Sequence, residues 1–99
     1  HLLKWVQLQE DSEGRDLELR YFRDRDGHEV DFVVVENRKP ILLVETKSGD
    51  EPVDRGLRFL SSRFPGVEAW QISRTGTRNF VADGGIRVAP AVELLGRLV

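Results

Sequence analysis

Two stretches of this chain are aliphatic or aromatic at almost every position: Val30-Asp31-Phe32-Val33-Val34-Val35 and Ile41-Leu42-Leu43-Val44. A strand points successive side chains to opposite faces of its sheet, so a strand apolar at every position must be covered on both faces. Two such strands demand layers above and below, and the rest of the sequence has to supply them. One layer is legible directly after the second run, where Val53, Leu57, Leu60 and Phe64 recur at helical spacing and Pro65-Gly66 stops the pattern. Leu2, Leu3, Trp5 and Val6 show the same spacing and fade at Glu10-Asp11-Ser12-Glu13-Gly14, as the tail end of a helix would.

The remaining segments fill in the order. Leu17, Leu19 and Tyr21 alternate with Glu18, Arg20 and Phe22, which predicts a half-buried strand. Asp24-Arg25-Asp26-Gly27 is a turn, with Gly27 suited to positive φ. Strands are predicted over residues 29–35 and 41–47, with Asn37, Arg38, Lys39 and Pro40 turning between them. Ser48-Gly49-Asp50-Glu51-Pro52 prepares the helix, with Asp50 or Glu51 as its cap and Pro52 in its first turn. A fourth strand covers residues 67–73, loops follow at 74–78 and 83–85, residues 86–88 are a short extended piece, and 89–99 close as a short helix. The expectation is a single α/β domain over residues 1–99, a mixed sheet in the order α-β-β-β-α-β with helices on its faces.

Composition narrows the chemistry. The chain has 99 residues, no cysteine and a formal net charge of −2. Disulfides, thiolate metal sites and cysteine nucleophiles are excluded, and so is a polycation that coats nucleic acid by charge alone. No apolar run approaches the ~20 residues of a membrane-spanning helix, so a cytoplasmic protein with no membrane partner is expected. The charge is uneven. Nine acids face four arginines over residues 8–31, whereas residues 55–78 carry five arginines and one acid, Glu68. An acidic domain with a local anion-binding face is compatible with that pattern.

The informative charges are those inside the apolar strands. Glu45 and Lys47 follow four aliphatic residues and sit two apart, hence on one face. With a five-residue loop over 36–40, Val35 pairs with Ile41 and Asp31 falls opposite Glu45, Cβ atoms ~5 Å apart. Two carboxylates so placed repel and call for a cation, and an ammonium stands beside them. Mg²⁺ or Mn²⁺ held by Asp31 and Glu45, with Lys47 assisting the attacking water, is the set that metal-assisted phosphodiester hydrolysis uses. An ordinary ion pair at two strand ends has the same residue types, and spacing leaves both readings open.

Asp31, a turn, and Glu45-Thr46-Lys47 at the end of an aliphatic strand resemble the D…ExK motif of the PD-(D/E)xK nuclease superfamily. That resemblance implies the restriction-endonuclease-like fold, with Asp31 and Glu45 as metal ligands and Lys47 as the catalytic amine. The chain is also similar to the C-terminal domain of a group of prokaryotic AAA+-type ATPases. The resemblance rests on Leu19-Arg20-Tyr21-Phe22-Arg23, Glu29-Val30-Asp31-Phe32-Val33, Val44-Glu45-Thr46-Lys47, Gly56-Leu57-Arg58, Phe64-Pro65 and Gly85-Ile86-Arg87-Val88. It implies a C-terminal fragment of a longer protein, with ATP bound in an absent N-terminal module that would itself be a partner. The superfamily often adds an acid from its first helix, and Glu10 sits late for that position. An inactive nuclease-fold module that binds nucleic acid or protein is the alternative.

Weaker candidates complete the set. Arg74 and Arg78 bracket a glycine-containing loop within reach of phosphates, and Gln71 resembles a glutamine that some superfamily members use downstream of the lysine. The three are candidates for contacting nucleic acid, DNA above all. A strand glutamine facing solvent is the plainer expectation for Gln71. His28 reads as a turn residue, Trp5, Trp70, Phe59, Phe64 and Phe80 as core, and Arg55 and Arg58 as a solvated helix face.

Overall fold

The computed structural model describes residues 15–98 together with Lys4 and Gln7. The helix expected around Leu2, Leu3, Trp5 and Val6, and Glu10 with it, lies outside the described residues. The described chain runs β1 (Leu17–Arg23), β2 (Glu29–Glu36), β3 (Lys39–Lys47), α1 (Arg55–Arg63), β4 (Glu68–Ser73), β5 (Phe80–Val81), a short 3-10 turn (Asp83–Gly85), β6 (Arg87–Pro90) and α2 (Ala91–Leu98). Six strands form one mixed sheet in the order β1-β2-β3-β4-β6-β5. β1, β2 and β3 are antiparallel neighbours, β3, β4 and β6 are parallel, and β5 returns antiparallel at the edge.

Both faces are packed, as the continuous apolar strands require. On one face Leu17, Val34, Leu42, Val44, Trp70 and Ala89 gather with Leu94 of α2. On the other, Val30, Val33, Val35, Leu43 and Ala69 gather with Leu57 and Leu60 of α1. Gly56 lets α1 come down on β2: a Cβ there would stand 2.3 Å from the Glu29 carbonyl oxygen.

Several expectations are corrected in detail. The β2–β3 loop is a two-residue turn, with Glu36 opposite Lys39. Asn37 and Arg38 take φ of 50° and 69°, the positive values a tight hairpin turn demands of both central residues. Lys39 and Pro40 therefore belong to β3 rather than to the turn. The register then slips at Ile41, so Val35 faces Pro40 while Val34 faces Leu42. That bulge restores, from Val34 onward, the register a five-residue loop would have given, and Phe32 lies opposite Val44.

A second bulge shapes β2. Arg20 pairs with Val33 and Phe22 with Val30, so Asp31 and Phe32 together face Tyr21 alone. Val30 and Val33 thereby point to the same face, and Tyr21 is left 57% exposed instead of sharing burial with Leu17. α1 begins at Arg55 with Asp54 as its cap, not Asp50 or Glu51, because the Asp54 carboxylate accepts from the Gly56 and Leu57 N–H groups. The chain after β4 is more ordered than its sequence implied: β5 and β6 extend the sheet, and the closing helix starts after Pro90. Phe64 and Phe80 are partly exposed rather than core. No described helix is long and apolar enough to cross a membrane.

Candidate functional site

Ladder pairing between β2 and β3 ends at Phe32 and Val44, and the next residues on each strand are Asp31 and Glu45. There each carboxylate reaches the other strand's backbone. The Asp31 N–H donates to Glu45 Oε1 at 3.0 Å. The Thr46 N–H donates to Asp31 Oδ2 at 3.0 Å, and the Thr46 hydroxyl donates to the same oxygen at 2.6 Å. Side-chain oxygens thus stand where ladder carbonyls would, and the strands part around two acids. The bulge at Asp31 turns this residue out of strict alternation, a common use of bulges beside functional sites.

Glu45 is 8% exposed, on the α1 face of the sheet two residues beyond Leu43. Burial pushes its carboxyl above the usual carboxylate range, Asp31 and Asp54 push the same way, and the Asp31 N–H and Lys47 pull it back. The Lys47 ammonium donates to Asp54 Oδ1 at 2.8 Å and lies 3.6 Å from Glu45 Oε2. The Asp54 contact holds Lys47 above the ordinary lysine value despite partial burial. For Asp54, burial alone would raise the carboxyl; Lys47 and the helix N–H groups outweigh it and hold it below the ordinary value.

Asp54 is the contributor that the sequence concealed, while Gln71, a weaker candidate by resemblance, has a setting the sequence did not show. Gln71 is 2% exposed, not solvent-facing, and stands beside Glu45 in the β3–β4 register. Its Oε1 accepts from the Asp54 N–H at 2.7 Å, and its Nε2 donates to the carbonyls of Glu51 and Pro52 at 3.1 and 3.0 Å. A buried amide with its hydrogen bonds spent on the strap over residues 51–54 fixes where α1 begins.

Arg74 and Arg78 are exposed on the loop beyond β4, next to the same end of β3. The Arg74 N–H donates to the Lys47 carbonyl at 3.2 Å, and the Thr77 and Arg78 N–H groups donate to the Asp50 carboxylate. Gly76 is needed there, since a Cβ would sit 2.4 Å from Asp50 Oδ1. The Arg78 guanidinium stacks over the Phe80 ring at 4.9 Å.

A second charged group lies on the β1–β2 turn. Ligand atoms of Asp24, Asp26 and His28 lie within 4.8 Å of one another. His28 Nδ1 is 2.8 Å from Asp24 Oδ2, its ring stacks on Phe59 at 4.0 Å, and Arg55 bridges His28 Nε2 and the Asp26 carbonyl. These bonds fasten the turn to α1. Arg55 stays exposed, as expected of a solvated helix face, and it also ties the turn to α1.

The donor set at Asp31 and Glu45 suits a hard divalent cation, which takes one or two carboxylates and fills its shell with water and substrate oxygens. Both Thr46 bonds fall on Asp31 Oδ2, leaving Oδ1 outside them. The Lys47 partners are Glu45 and Asp54, and no contact to Asp31 is among them. No curated protein and no solved structure matches this chain. A family model described as "Domain of unknown function (DUF4143)" matches residues 1–94. With almost its whole length matched, the chain belongs to that family.

Proposed function

We propose that this chain is a metal-dependent nuclease-like domain of restriction-endonuclease-like architecture, cleaving nucleic-acid phosphodiesters as a module of an AAA+-type ATPase. One observation carries the reading: two carboxylates and an ammonium stand where the ladder opens, and Glu45 is buried at a cost to its ionised form. Acids whose pKa is raised by burial cluster at functional sites.

In this reading Asp31 and Glu45 hold Mg²⁺ or Mn²⁺. When bound, such an ion would lower the pKa of a water and offset charge on the phosphate. Lys47, held as an ammonium by Asp54, adds positive charge beside the attacked group instead of acting as a base. Arg74 and Arg78, exposed beside the carboxyl ends of β3 and β4, would contact flanking phosphates. Gln71 serves indirectly, by fixing the strap that carries Asp54.

A second reading, the same fold as a non-catalytic module for nucleic acid or a partner protein, draws on one observation. Asp31 and Glu45 already have hydrogen-bond donors from the chain itself. The deciding experiment is Mn²⁺ titration followed by paramagnetic NMR broadening, beside an Asp31→Asn/Glu45→Gln double variant. Broadening centred on Asp31 and Glu45 that the double variant loses, with Mn²⁺-dependent cleavage of plasmid or oligonucleotide, supports the nuclease reading. Absence of localised broadening favours the non-catalytic module.

A further inference from the structure

The two oxygens of the Asp54 carboxylate have separate tasks. Oδ2 accepts both helix N–H groups, from Gly56 at 2.9 Å and Leu57 at 3.2 Å. Oδ1 accepts from the Lys47 ammonium at 2.8 Å. Capping α1 therefore does not use the oxygen that Lys47 uses. We propose that Asp54 is a positioning residue for Lys47, clamping its ammonium beside Glu45 through an interaction separable from the helix cap.

The geometry closes a ring. Glu45 and Gln71 are register neighbours on β3 and β4. Gln71 holds the Asp54 backbone, Asp54 holds Lys47, and Lys47 returns to within 3.6 Å of Glu45. A lysine side chain has a flexible four-carbon stem and gives up much rotamer freedom when held in one place. The Glu45 contact alone is too long to be a hydrogen bond, so the shorter Asp54 bond is what localises the ammonium. A buried amide anchors the strap that carries Asp54, so the clamp is tied to the start of α1. The proposal rests on the nuclease reading for its catalytic meaning, while the clamp itself is a statement about this chain alone.

Two substitutions separate the tasks. Asp54→Asn keeps an Asn cap, as good as Asp at that position, and removes the charge that faces Lys47. Asp54→Glu keeps the charge and gives up the favoured short cap. The measurement is side-chain NMR relaxation at the Lys47 ε-methylene in the 99-residue chain, beside thermal melting and Mn²⁺-dependent cleavage of plasmid and oligonucleotide probes. The expected result for Asp54→Asn is a little-changed melting temperature, a loosened Lys47, and about tenfold lower kcat with KM little changed. Asp54→Glu should lower the melting temperature while returning order to Lys47.

Lys47 as ordered in Asp54→Asn as in the parent overturns the proposal, and so does a loosened Lys47 with undiminished cleavage. Should the parent cleave neither probe, the nuclease reading is what fails. The relaxation data then decide the clamp by themselves: a Lys47 loosened by Asn and steadied by Glu supports it, and an unchanged one overturns it.

Discussion

The two ends of the β2–β3 pair are built from the same strands and behave as opposites. At the turn end, Glu36 faces Lys39 across Asn37-Arg38, and the ladder is closed by backbone bonds around a tight turn. Just inside it, Val33, Val34, Leu42 and Leu43 are at most 6% exposed. At the far end the ladder stops, and Asp31 and Glu45 insert side-chain oxygens between the strands. At the turn end the ladder is closed and the charges stay outside the core; at the far end it is open and the charges lie between the strands. The difference shows where a small sheet can afford a buried charge: beyond the last backbone pair, where unpaired N–H groups are available to solvate a carboxylate.

Substitutions can break or sharpen that contrast. The largest effect belongs to the closed half. Leu43→Ala, at a fully buried position packed on the α1 side, should cost about 2–5 kcal/mol in chemical denaturation. At the open end the sign reverses. Glu45→Gln keeps an Oε1 acceptor for the Asp31 N–H and removes a charge that burial disfavours, so stability should rise at neutral pH by less than Leu43→Ala lowers it.

The pH dependence follows from the direction of the Glu45 shift. A carboxyl raised in the folded state favours folding below its ordinary value of 4.5, and that contribution is lost as pH rises through the folded value. The gain from Glu45→Gln should therefore be seen in urea melts at neutral pH and vanish in acid. A Gln variant less stable than the parent at both pH values would remove the argument that Glu45 is held at a cost.

A smaller effect tests the turn. Arg38→Gly should stabilise by about 1 kcal/mol, because Asn-Gly suits two positive-φ positions better than Asn-Arg. The least change in stability is expected at Lys47. Lys47→Ala should alter it by only ~0–1 kcal/mol, as for a part-exposed ion pair, while abolishing Mn²⁺-dependent cleavage and sparing Mn²⁺ binding. Stability and function would then be shown to reside at different ends of one strand pair.

Much of this contrast was legible in the residues. Val30 to Val35 and Ile41 to Val44 announced central strands because apolarity at every position has one explanation in a sheet. Asp31 and Glu45-Thr46-Lys47 stood out by interrupting that apolarity. The Asp31–Glu45 neighbourhood was right although the loop was not. A two-residue turn followed by the Ile41 bulge gives the same register as the five-residue loop read from Glu36 to Pro40. The two arrangements lead to one register beyond Val34, so the placing of Asp31 near Glu45 did not depend on which turn the chain takes.

What stayed hidden depended on distant contacts. Asp54 looks like an ordinary polar residue in its own segment, and nothing local marks the candidate Gln71 as buried; their meaning comes from meeting each other. The local spacing of Asp50 suits a helix cap, yet its carboxylate binds the loop at Thr77 and Arg78. β5 holds two exposed residues, Phe80 and Val81, and forms only because β6 offers an edge to pair with.

By itself the sequence determined the two-sided sheet, the helix that covers one side, and the three charged residues at the strand ends. Periodicity and local polarity are properties of neighbouring residues, and they need no fold to be read. Only the tertiary structure decided that Lys47 answers to Asp54, that Gln71 is buried, and that the strands part around Asp31 and Glu45. Those are pairings between segments, fixed by register and by the seating of α1. No local pattern encodes which partner a side chain will meet.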